Sequence, residues 1–320
     1  MQHVMIECTN GIHPEDVVAL TALMRDVNYK CRDYFRFSLV SNNKAVLPEM
    51  LENNPNIAEL QSGAKVLKFT GIKPSEERHH FDGLPKWFQD HTMISFLFQN
   101  FHGELFLTEQ EKKENPVKSD NYILVGVDKK FHWPYWSEIA KKNPTRDVVC
   151  VGLEKVEIDG VINKTGELTL REIVQHVYHS GTVGTTCRFI QSVAGALEKP
   201  CTYLVGGRES LTWRQFSCCR MLGGQEGICQ KQPCWSDGCF ELHCLNSIDV
   251  EKVNNCLHSF ERPTIDRFGK CKYAKLIDEQ WHEARPCKGC KVECQNPKCP
   301  IDIWYVAGCN PRKCKFYEGS

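Results

Sequence analysis

Residues 160–217 read GVINKTGELTLREIVQHVYHSGTVGTTCRFIQSVAGALEKPCTYLVGGRESLTWRQFS, and this stretch decides the fold class. It predicts, in order, an apolar-striped helix around Leu170–Val177, a Gly/Thr/Ser loop over His179–Thr186, a second apolar helix over Phe189–Leu197, and a buried strand over Cys201–Val205 that ends at Gly206 and Gly207. Loops that open helices in an α/β sheet commonly bind phosphates, because unpaired backbone N–H groups point outward there. The layout therefore predicts an α/β domain that binds a nucleotide.

The rest of the chain extends this pattern on both sides. Strands are predicted at Val4–Cys8, Phe35–Val40, Lys65–Phe69, Tyr122–Val125 and Asp147–Val151, with helices near Asp16 and over Tyr135–Lys142. The aromatic segment Phe88–Phe101 predicts a helix beside a cleft, and the charge-rich segment Glu109–Lys118 predicts a linker. We expect two facing Rossmann-like domains over residues 1–118 and 119–258, with a ligand cleft between them.

Composition excludes several classes of protein. The 320 residues carry 40 basic and 40 acidic side chains, so no overall charge draws the chain to nucleic acid or to a membrane. No apolar run reaches the roughly 18 residues that a membrane span needs. The start, MQHVMIECTNG, lacks the regions of a signal peptide. We expect a soluble protein of the cytoplasm, without a transmembrane segment.

Cysteine divides the chain unevenly. Of 19 cysteines, five precede residue 202 and fourteen lie from Cys218 to Cys314. In a reducing compartment, cysteines at short spacings are more often metal ligands or inert thiols than disulfides. We therefore expect a cysteine-rich extension over residues 259–320.

Two sets of cysteines have the spacing of metal ligands. One set is Cys287, Cys290, Cys294 and Cys299, and an earlier set is Cys229, Cys234, Cys239 and Cys244. Four thiolates can close a tetrahedral zinc site, which would supply folding energy that a small core lacks. The later set, with its CxxC, predicts a structural zinc; an iron–sulfur cluster would use the same ligands.

The C-terminal segment is also basic. Between Arg285 and Lys315 the sequence contains seven Lys and Arg residues but only two acidic residues, and Trp304 and Tyr305 lie in the same segment. Such a segment could bind a phosphate-rich acceptor, including DNA, or simply keep a small zinc module soluble.

Four segments, in this order, resemble one enzyme family. They are NGIHPEDVVALTALMRDV, YILVGVDKKFHWPYW, GELTLREIVQHVYHS with SVAGALEKPCTYLVGGRESLTW, and SCC with GICQKQPCW and HCLNSIDVEKV. On these motifs, which cover about residues 1–258, the chain resembles the heptosyltransferase-like glycosyltransferases of family nine, which have the GT-B fold. The resemblance implies transfer of a sugar from a nucleotide-sugar, as co-substrate, to an acceptor hydroxyl, without a catalytic metal. It places the donor on the second domain and the acceptor on the first.

Sugar transfer needs a base for the acceptor proton. Asp16 matches the family's Asp in the first loop-to-helix turn. A carboxylate at this position is equally a first-turn partner of the helix dipole. The family's preceding glycine is Glu15 here and the loop GIHPED is longer, so His13 and Glu15 are rival bases.

The leaving diphosphate needs positive charge or N–H donors. Candidates are Lys129 and Lys130 after the strand that opens the second domain, Arg188 near a helix start, and Thr185 and Thr186 just before it. Gly206 and Gly207 would let the backbone approach a nucleotide, and Glu209 would accept from ribose hydroxyls. Each has a structural alternative: solvated lysines, helix-capping threonines, and a tight turn with a surface ion pair.

The donor loop departs from the family at three positions. Cys187 stands where the family often has Asp, Phe189 where it has Gly, and Ser192 where it has His. These departures leave two hypotheses. The chain is a glycosyltransferase acting on a saccharide or a hydroxymethylated DNA base, or it is a non-catalytic binding protein with a degenerate fold and a zinc module.

Overall fold

The computed structural model describes residues 2–9, 12–31, 34–41, 49–72, 79–98, 101–119, 121–207, 209, 215–223, 239, 242–259, 274–276 and 292–294. By its internal contacts the chain divides into two compact units, Met1–Leu257 and His258–Ser320. Both parallel sheets belong to the first unit. The boundary predicted after residue 118 stays a prediction.

The first sheet has three parallel strands in the order β2-β1-β3. They are β1 (Gln2–Cys8), β2 (Phe35–Ser41) and β3 (Lys65–Phe69), and α1 (Pro14–Cys31) connects the first two. Proline at the first helical position needs no N–H partner, and Glu15 and Asp16 in the first turn suit the positive end of the helix dipole. The strands predicted here are confirmed.

The second sheet has six parallel strands in the order β6-β5-β4-β7-β8-β9. The strands are β4 (Ile123–Gly126), β5 (Val148–Val151), β6 (Ile162–Asn163), β7 (Thr182–Thr185), β8 (Cys201–Gly206) and β9 (Cys219–Gly223). The helices are α4 (Trp136–Lys142), α5 (Leu170–His179), α6 (Arg188–Ala196), α7 (His243–Asn246) and α8 (Val250–His258). Strands β4, β5, β7 and β8 are buried throughout, as expected for a parallel sheet covered on both faces.

The predicted loop His179–Thr186 is wrong, because β7 lies inside it. The sequence of β7, TVGT, has one large apolar residue and reads as a loop. Its partners decide otherwise: β7 pairs with β4 on one side and β8 on the other. Glycine at position 184 suits a tightly packed place, since a Cβ there would lie 3.1 Å from the Trp136 ring and from Leu257.

The predicted helix Phe88–Phe101 is also wrong in its bounds. Helix α2 covers Gly83–Thr92 and ends because Met93 adopts a left-handed conformation, with φ 64°. The aromatic residues that follow α2 pack with the segment before it, since the ring of Phe98 lies 5.5 Å from that of Phe81 and the ring of Phe101 lies 5.0 Å from that of His79.

The predicted linker begins with a capped helix, α3 (Glu109–Lys113), in which Thr108 and Glu111 form a capping box. Glu111 accepts two hydrogen bonds from Arg171 of α5, Nε to Oε1 at 2.7 Å and Nη2 to Oε2 at 2.6 Å. Arg171 also donates to the Met50 carbonyl at 3.4 Å. This segment is therefore tied to both halves of the first unit.

One hydrophobic core joins the two sheets. Val4 and Ile6 of β1 belong to the same cluster of contacting buried side chains as Leu124 of β4 and Val149 of β5. Helix α1 packs against α6 within it. The opposite face of the second sheet packs on α4, α7 and α8 around Trp133 and Trp136.

In the second unit, the described residues form two short antiparallel strands, β10 (Ala274–Leu276) and β11 (Val292–Cys294). Across the described part of the whole chain, no helix is both long and apolar enough to span a bilayer.

Candidate functional site

Each sheet has a topological switch point, where ligands of α/β proteins usually bind. In the first sheet the chain leaves β1 for β2 on one side and later adds β3 on the other. The carboxyl ends of β1 and β3 are joined by the Thr9 N–H, which donates to the Phe69 carbonyl at 3.1 Å. Helix α1 starts here, and we call this place the β1/β3 crevice.

Asp16 lies in the β1/β3 crevice and is only 5% exposed. Its Oδ2 accepts a hydrogen bond from the Ile72 N–H at 3.4 Å, and a Cβ on Gly71 would lie 3.1 Å from the same oxygen. Burial raises the pKa of the Cys8 thiol to about 12, and the negative charge of Asp16 adds to this. Asp16 thus lies in the first turn of α1 and ties this helix to the segment after β3, and its role as a base stays a prediction.

Glu15 and His13 have different surroundings. Glu15 is buried, whereas the side chain of His13 is exposed and its carbonyl accepts the Asp16 N–H at 3.0 Å. The pKa of the Cys187 thiol is raised to about 12, first by burial and then by the negative charges of Glu15 and Asp128. Cys187 is the N-cap of α6, so the start of α1 lies within electrostatic range of the second sheet's carboxyl edge.

The second switch point lies between β4 and β7, because the chain runs from β4 to β5 and β6 and then crosses back to β7. We call the carboxyl ends of these two strands, with residues 127–131 and 186–188, the β4/β7 crevice. Gly126 is needed there, since a Cβ would lie 2.4 Å from Thr185 Oγ1 and 2.7 Å from Ile190.

The two predicted threonines divide their roles. The Thr185 hydroxyl is fully buried, donates to the Gly126 carbonyl at 2.8 Å and accepts the Cys187 N–H at 2.9 Å. It therefore joins the two strand ends. Thr186 is 2% exposed, and its hydroxyl has no hydrogen-bond partner among the residues that the structure describes. Of the two hydroxyls, that of Thr186 is therefore the one whose hydrogen bonds the described residues leave unmade.

Lys129 and Lys130 are exposed on the same crevice. Asp128 shapes their turn by accepting the Lys130 N–H at 2.9 Å and the Phe131 N–H at 3.2 Å. Lys129 Nζ lies 3.8 Å from Glu154 Oε1, and both side chains are 60% exposed, so this ion pair contributes little. Sequence reasoning missed Asp128, although an Asp directly after a buried strand is a signal for such a turn.

Arg188 and Glu209, predicted to bind diphosphate and ribose, form an ion pair with each other. Arg188 Nε lies 3.2 Å from Glu209 Oε2, and Tyr203 Oη donates to Glu209 Oε1 at 2.6 Å. The Glu209 side chain has no exposed surface, whereas that of Arg188 is 15% exposed. Sequence reasoning missed Tyr203, whose position inside β8 indicates a core residue.

Gly206, the last residue of β8, and Gly207 after it both contact α7. Gly206 has φ +61°, and a Cβ there would lie 3.2–3.3 Å from atoms of Leu245, including its backbone nitrogen. The Gly207 N–H donates to Cys244 Sγ at 3.1 Å. The backbone at the end of β8 therefore already has a protein partner.

The predicted zinc ligands Cys287, Cys290 and Cys299 lie outside the described residues, and for Cys294 the structure describes only the backbone, in β11. In the earlier set, Cys229 and Cys234 lie outside them too, while Cys239 and Cys244 form no disulfide within the described residues. Within the described ranges, no group of three or more His, Cys, Asp or Glu residues could hold a metal ion.

Solved structures of glycosyltransferases share this fold. The TM-score is 0.55 with ADP-heptose LPS heptosyltransferase II of E. coli, at 13% identity over 81% of this chain and 98% of that one. It is 0.58 with TibC, an iron-containing dodecameric glycosyltransferase of enterotoxigenic E. coli, at 12% identity over 80% and 76% of the chains. A family 9 glycosyl transferase of Veillonella parvula gives 0.51, at 14% identity over 69% and 86%.

Identities this low establish a common fold rather than a common activity. The predicted α/β fold of the heptosyltransferase-like, GT-B glycosyltransferases is confirmed at this level. The sequence matches no family model and no curated protein sequence.

Proposed function

We propose that the protein is a glycosyltransferase that moves a sugar from a nucleotide-sugar to an acceptor hydroxyl. One observation carries this proposal: α1 packs against α6, and Val17 near the start of α1 and Cys187 at the start of α6 belong to one cluster of contacting buried side chains. A base on α1 and a phosphate-binding start of α6 would then serve one substrate pair. Structural neighbours include a complex of TibC with ADP-D-β-D-heptose, which makes an ADP-sugar the first donor to try.

In this proposal residues 1–118 form the acceptor domain and residues 119–258 the donor domain, two Rossmann-like halves facing each other. The β4/β7 crevice would hold the diphosphate. Thr186, Lys129 and Lys130 supply a hydroxyl and two ammonium groups, and the first turn of α6 supplies backbone N–H donors. Gly206 and Gly207 would border the nucleotide.

Asp16 is the proposed base. Its carboxylate lies at the start of α1, and its hydrogen bond from Ile72 fixes the direction of one oxygen. Glu15 is the rival because its charge acts on Cys187, across the two halves of the first unit. His13 is the weakest candidate, since its side chain is exposed and its described contact is made by the backbone.

The test is turnover of ADP-, UDP-, GDP- and CDP-sugars by the wild type and by three single variants. Asp16→Asn should lower kcat by about 10²- to 10⁴-fold, the usual contribution of a general base, while the fold is kept. Glu15→Gln should have a much smaller effect. Asp90→Asn, an exposed carboxylate in α2, is the matched control. Unchanged turnover in Asp16→Asn with a large loss in Glu15→Gln would reassign the base to Glu15.

The proposed acceptor rests on the shared fold alone. We propose a saccharide hydroxyl, because the donor-side fold is shared with heptosyltransferases. The rival acceptor, a hydroxymethylated base in DNA, depends on the basic segment Arg285–Lys315, which is outside the described residues except in β11. Sugar transfer to hydroxymethylated DNA, and not to oligosaccharides, would decide for the rival.

We also propose a structural metal, zinc before iron, on Cys287, Cys290, Cys294 and Cys299. The spacing supports it, and TibC is an iron-containing neighbour. Metal analysis of the purified full chain should give about one ion for each chain. The pair Cys287→Ser and Cys290→Ser should lose it, while Cys31→Ser should not. The cytoplasmic location stays a prediction.

A second candidate function is binding of a nucleotide-sugar without turnover. It is favoured by Cys187, which stands where the family often has Asp and whose thiol is protonated at neutral pH because its pKa is about 12. Saturable binding of a nucleotide-sugar, with no hydrolysis or transfer in the presence of any acceptor tried, would decide for this function.

A further inference from the structure

We infer that Glu209 is a positioning residue: with Tyr203 it holds the guanidinium of Arg188 at the start of α6, where Arg188 binds the diphosphate of the donor. This inference deepens the proposed function and rests on it. It also replaces the prediction that Glu209 contacts ribose.

The three side chains form a chain of contacts in which each carboxylate oxygen has its own partner. Glu209 Oε1 accepts from Tyr203 Oη at 2.6 Å, and Oε2 lies 3.2 Å from Arg188 Nε. Tyr203 is 1% exposed and stands inside β8, a rigid central strand of the sheet. The carboxylate is therefore oriented by the sheet, and it orients the arginine in turn.

Burial separates a positioning role from a ligand role. The Glu209 side chain has no exposed surface, which argues against direct contact with a ribose. The Arg188 side chain keeps 15% of its surface exposed, so part of it faces outward. A guanidinium carries five N–H donors in one plane, and the buried carboxylate 3.2 Å from Nε restrains it by charge rather than by a directed hydrogen bond.

The outward part of Arg188 lies among groups that suit an anion. Arg188 is the first residue of α6, a helix of nine residues, where the helix dipole and free N–H groups favour negative charge. Two residues earlier, Thr186 is 2% exposed, and its hydroxyl finds no partner among the described residues. A diphosphate has several acceptor oxygens and negative charge, so it suits the guanidinium of Arg188, the N–H groups of the helix start and the Thr186 hydroxyl. A neutral ribose suits only the hydroxyl.

Glu209 has two opposed effects on a bound diphosphate. Its negative charge weakens the attraction of Arg188 for phosphate, whereas its contact keeps a long, flexible side chain in one conformation. We expect the second effect to be larger. Removing the Glu209 charge makes the position of a mostly buried guanidinium less favourable, and we expect Arg188 to lose its single conformation.

The test measures the dissociation constants of ADP, UDP, GDP and CDP, and of the matching nucleosides, for the full chain by calorimetry. For the nucleotide that the wild type prefers, Glu209→Gln should weaken diphosphate binding about tenfold and leave nucleoside binding unchanged. Tyr203→Phe should weaken it in the same selective way, about threefold. Glu111→Gln is the matched control, since Glu111 also pairs with an arginine in a helix's first turn but lies at α3; it should change neither constant.

Each outcome decides something. Tighter diphosphate binding in Glu209→Gln would show that Glu209 only neutralises Arg188, and equal losses for diphosphate and nucleoside would restore the ribose contact; either result overturns the inference alone. If the wild type binds none of the four nucleotides, the proposed function fails and the inference with it. Thermal unfolding of each variant checks folding, and if Glu209→Gln does not fold, Tyr203→Phe carries the test.

Discussion

Helices α1 and α6 begin at equivalent places with opposite charges. Each follows a parallel strand at a topological switch point. The first turn of α1 contains Glu15 and Asp16, which the positive end of the helix dipole stabilises by about 0.3–1 kcal/mol each. Helix α6 begins with Arg188 and has no acid in its first turn, so the dipole opposes its charge.

This difference in charge between the two helix starts indicates which of them favours an anionic ligand. The dipole of α1 favours the acids in its first turn, whereas the dipole of α6 opposes the charge of Arg188, which an anion from another segment offsets. Glu209 supplies one within the protein, and a diphosphate would supply another. Helix α5 offers a third case: Arg171 stands in its first turn and pairs with Glu111, away from either crevice.

The largest stability effect should separate the first two helix starts. Glu209→Gln leaves the mostly buried Arg188 without its carboxylate and should lower the free energy of unfolding by about 3 kcal/mol. Asp16→Asn removes one favourable dipole interaction and should cost about 1 kcal/mol or less. Urea denaturation of both variants measures the two values; equal losses would mean that the two helix starts are alike.

A double variant sharpens the same comparison. Combining Arg188→Met with Glu209→Gln removes both charges of the pair, so much of the stability lost in Glu209→Gln should return. Full additivity of the two single losses would instead indicate that Arg188 and Glu209 act on stability separately.

The two crevices also differ in how well a glycine beside each of them should tolerate substitution. Gly126→Ala forces a Cβ to within 2.4 Å of Thr185 Oγ1 and 2.7 Å of Ile190, deep in the core, and should cost about 2–3 kcal/mol. Gly71→Ala meets only the end of the Asp16 side chain at 3.1 Å, and its cost comes from the positive φ of +94°, about 1 kcal/mol. Thermal or urea unfolding would show whether the β4/β7 crevice is the less tolerant of the two.

The smallest effect concerns the third helix start. Hydrogen bonding to Arg171 lowers the pKa of Glu111 from 4.5 to about 2. Between these values the unfolded chain binds more protons than the folded one, so the stability from this pair is present above about pH 4.5 and is lost as the pH falls towards 2. Arg171→Gln should flatten this part of the pH–stability curve and, at neutral pH, cost about 1 kcal/mol. A curve that keeps its slope in Arg171→Gln would assign the acid sensitivity to other carboxylates.

Much of the framework follows from local sequence signals. Strands β1, β2, β3, β4, β5 and β8 and helices α1, α4, α5 and α6 were predictable from apolar spacing and from their flanking turn residues. Strand β7 was not, because TVGT becomes a strand only between β4 and β8. The end of α2 was not, because Met93 gives no sign of its left-handed backbone.

The site shows the same limit. The sequence indicates Asp16, Arg188 and Glu209 by residue type and by their positions after strands. It does not show that residues 188 and 209 touch, since β8 and the segment after it bring them together. Nor does it show that Thr185 is fully engaged while Thr186 is not, because the neighbouring strand end at Gly126 decides this.

Phe216 has a consequence for synthesis on the ribosome. It packs beside His79, His80 and Phe81 of the N-terminal half and would collide with any side chain at position 195. When residue 118 has been added, about 100 residues remain before Phe216, or roughly 5–20 s at ordinary elongation rates. During that interval Phe216 has not yet been added, so the aromatic residues it covers in the N-terminal half lack this contact. A chaperone that binds apolar surfaces would find the most exposed apolar surface at this stage.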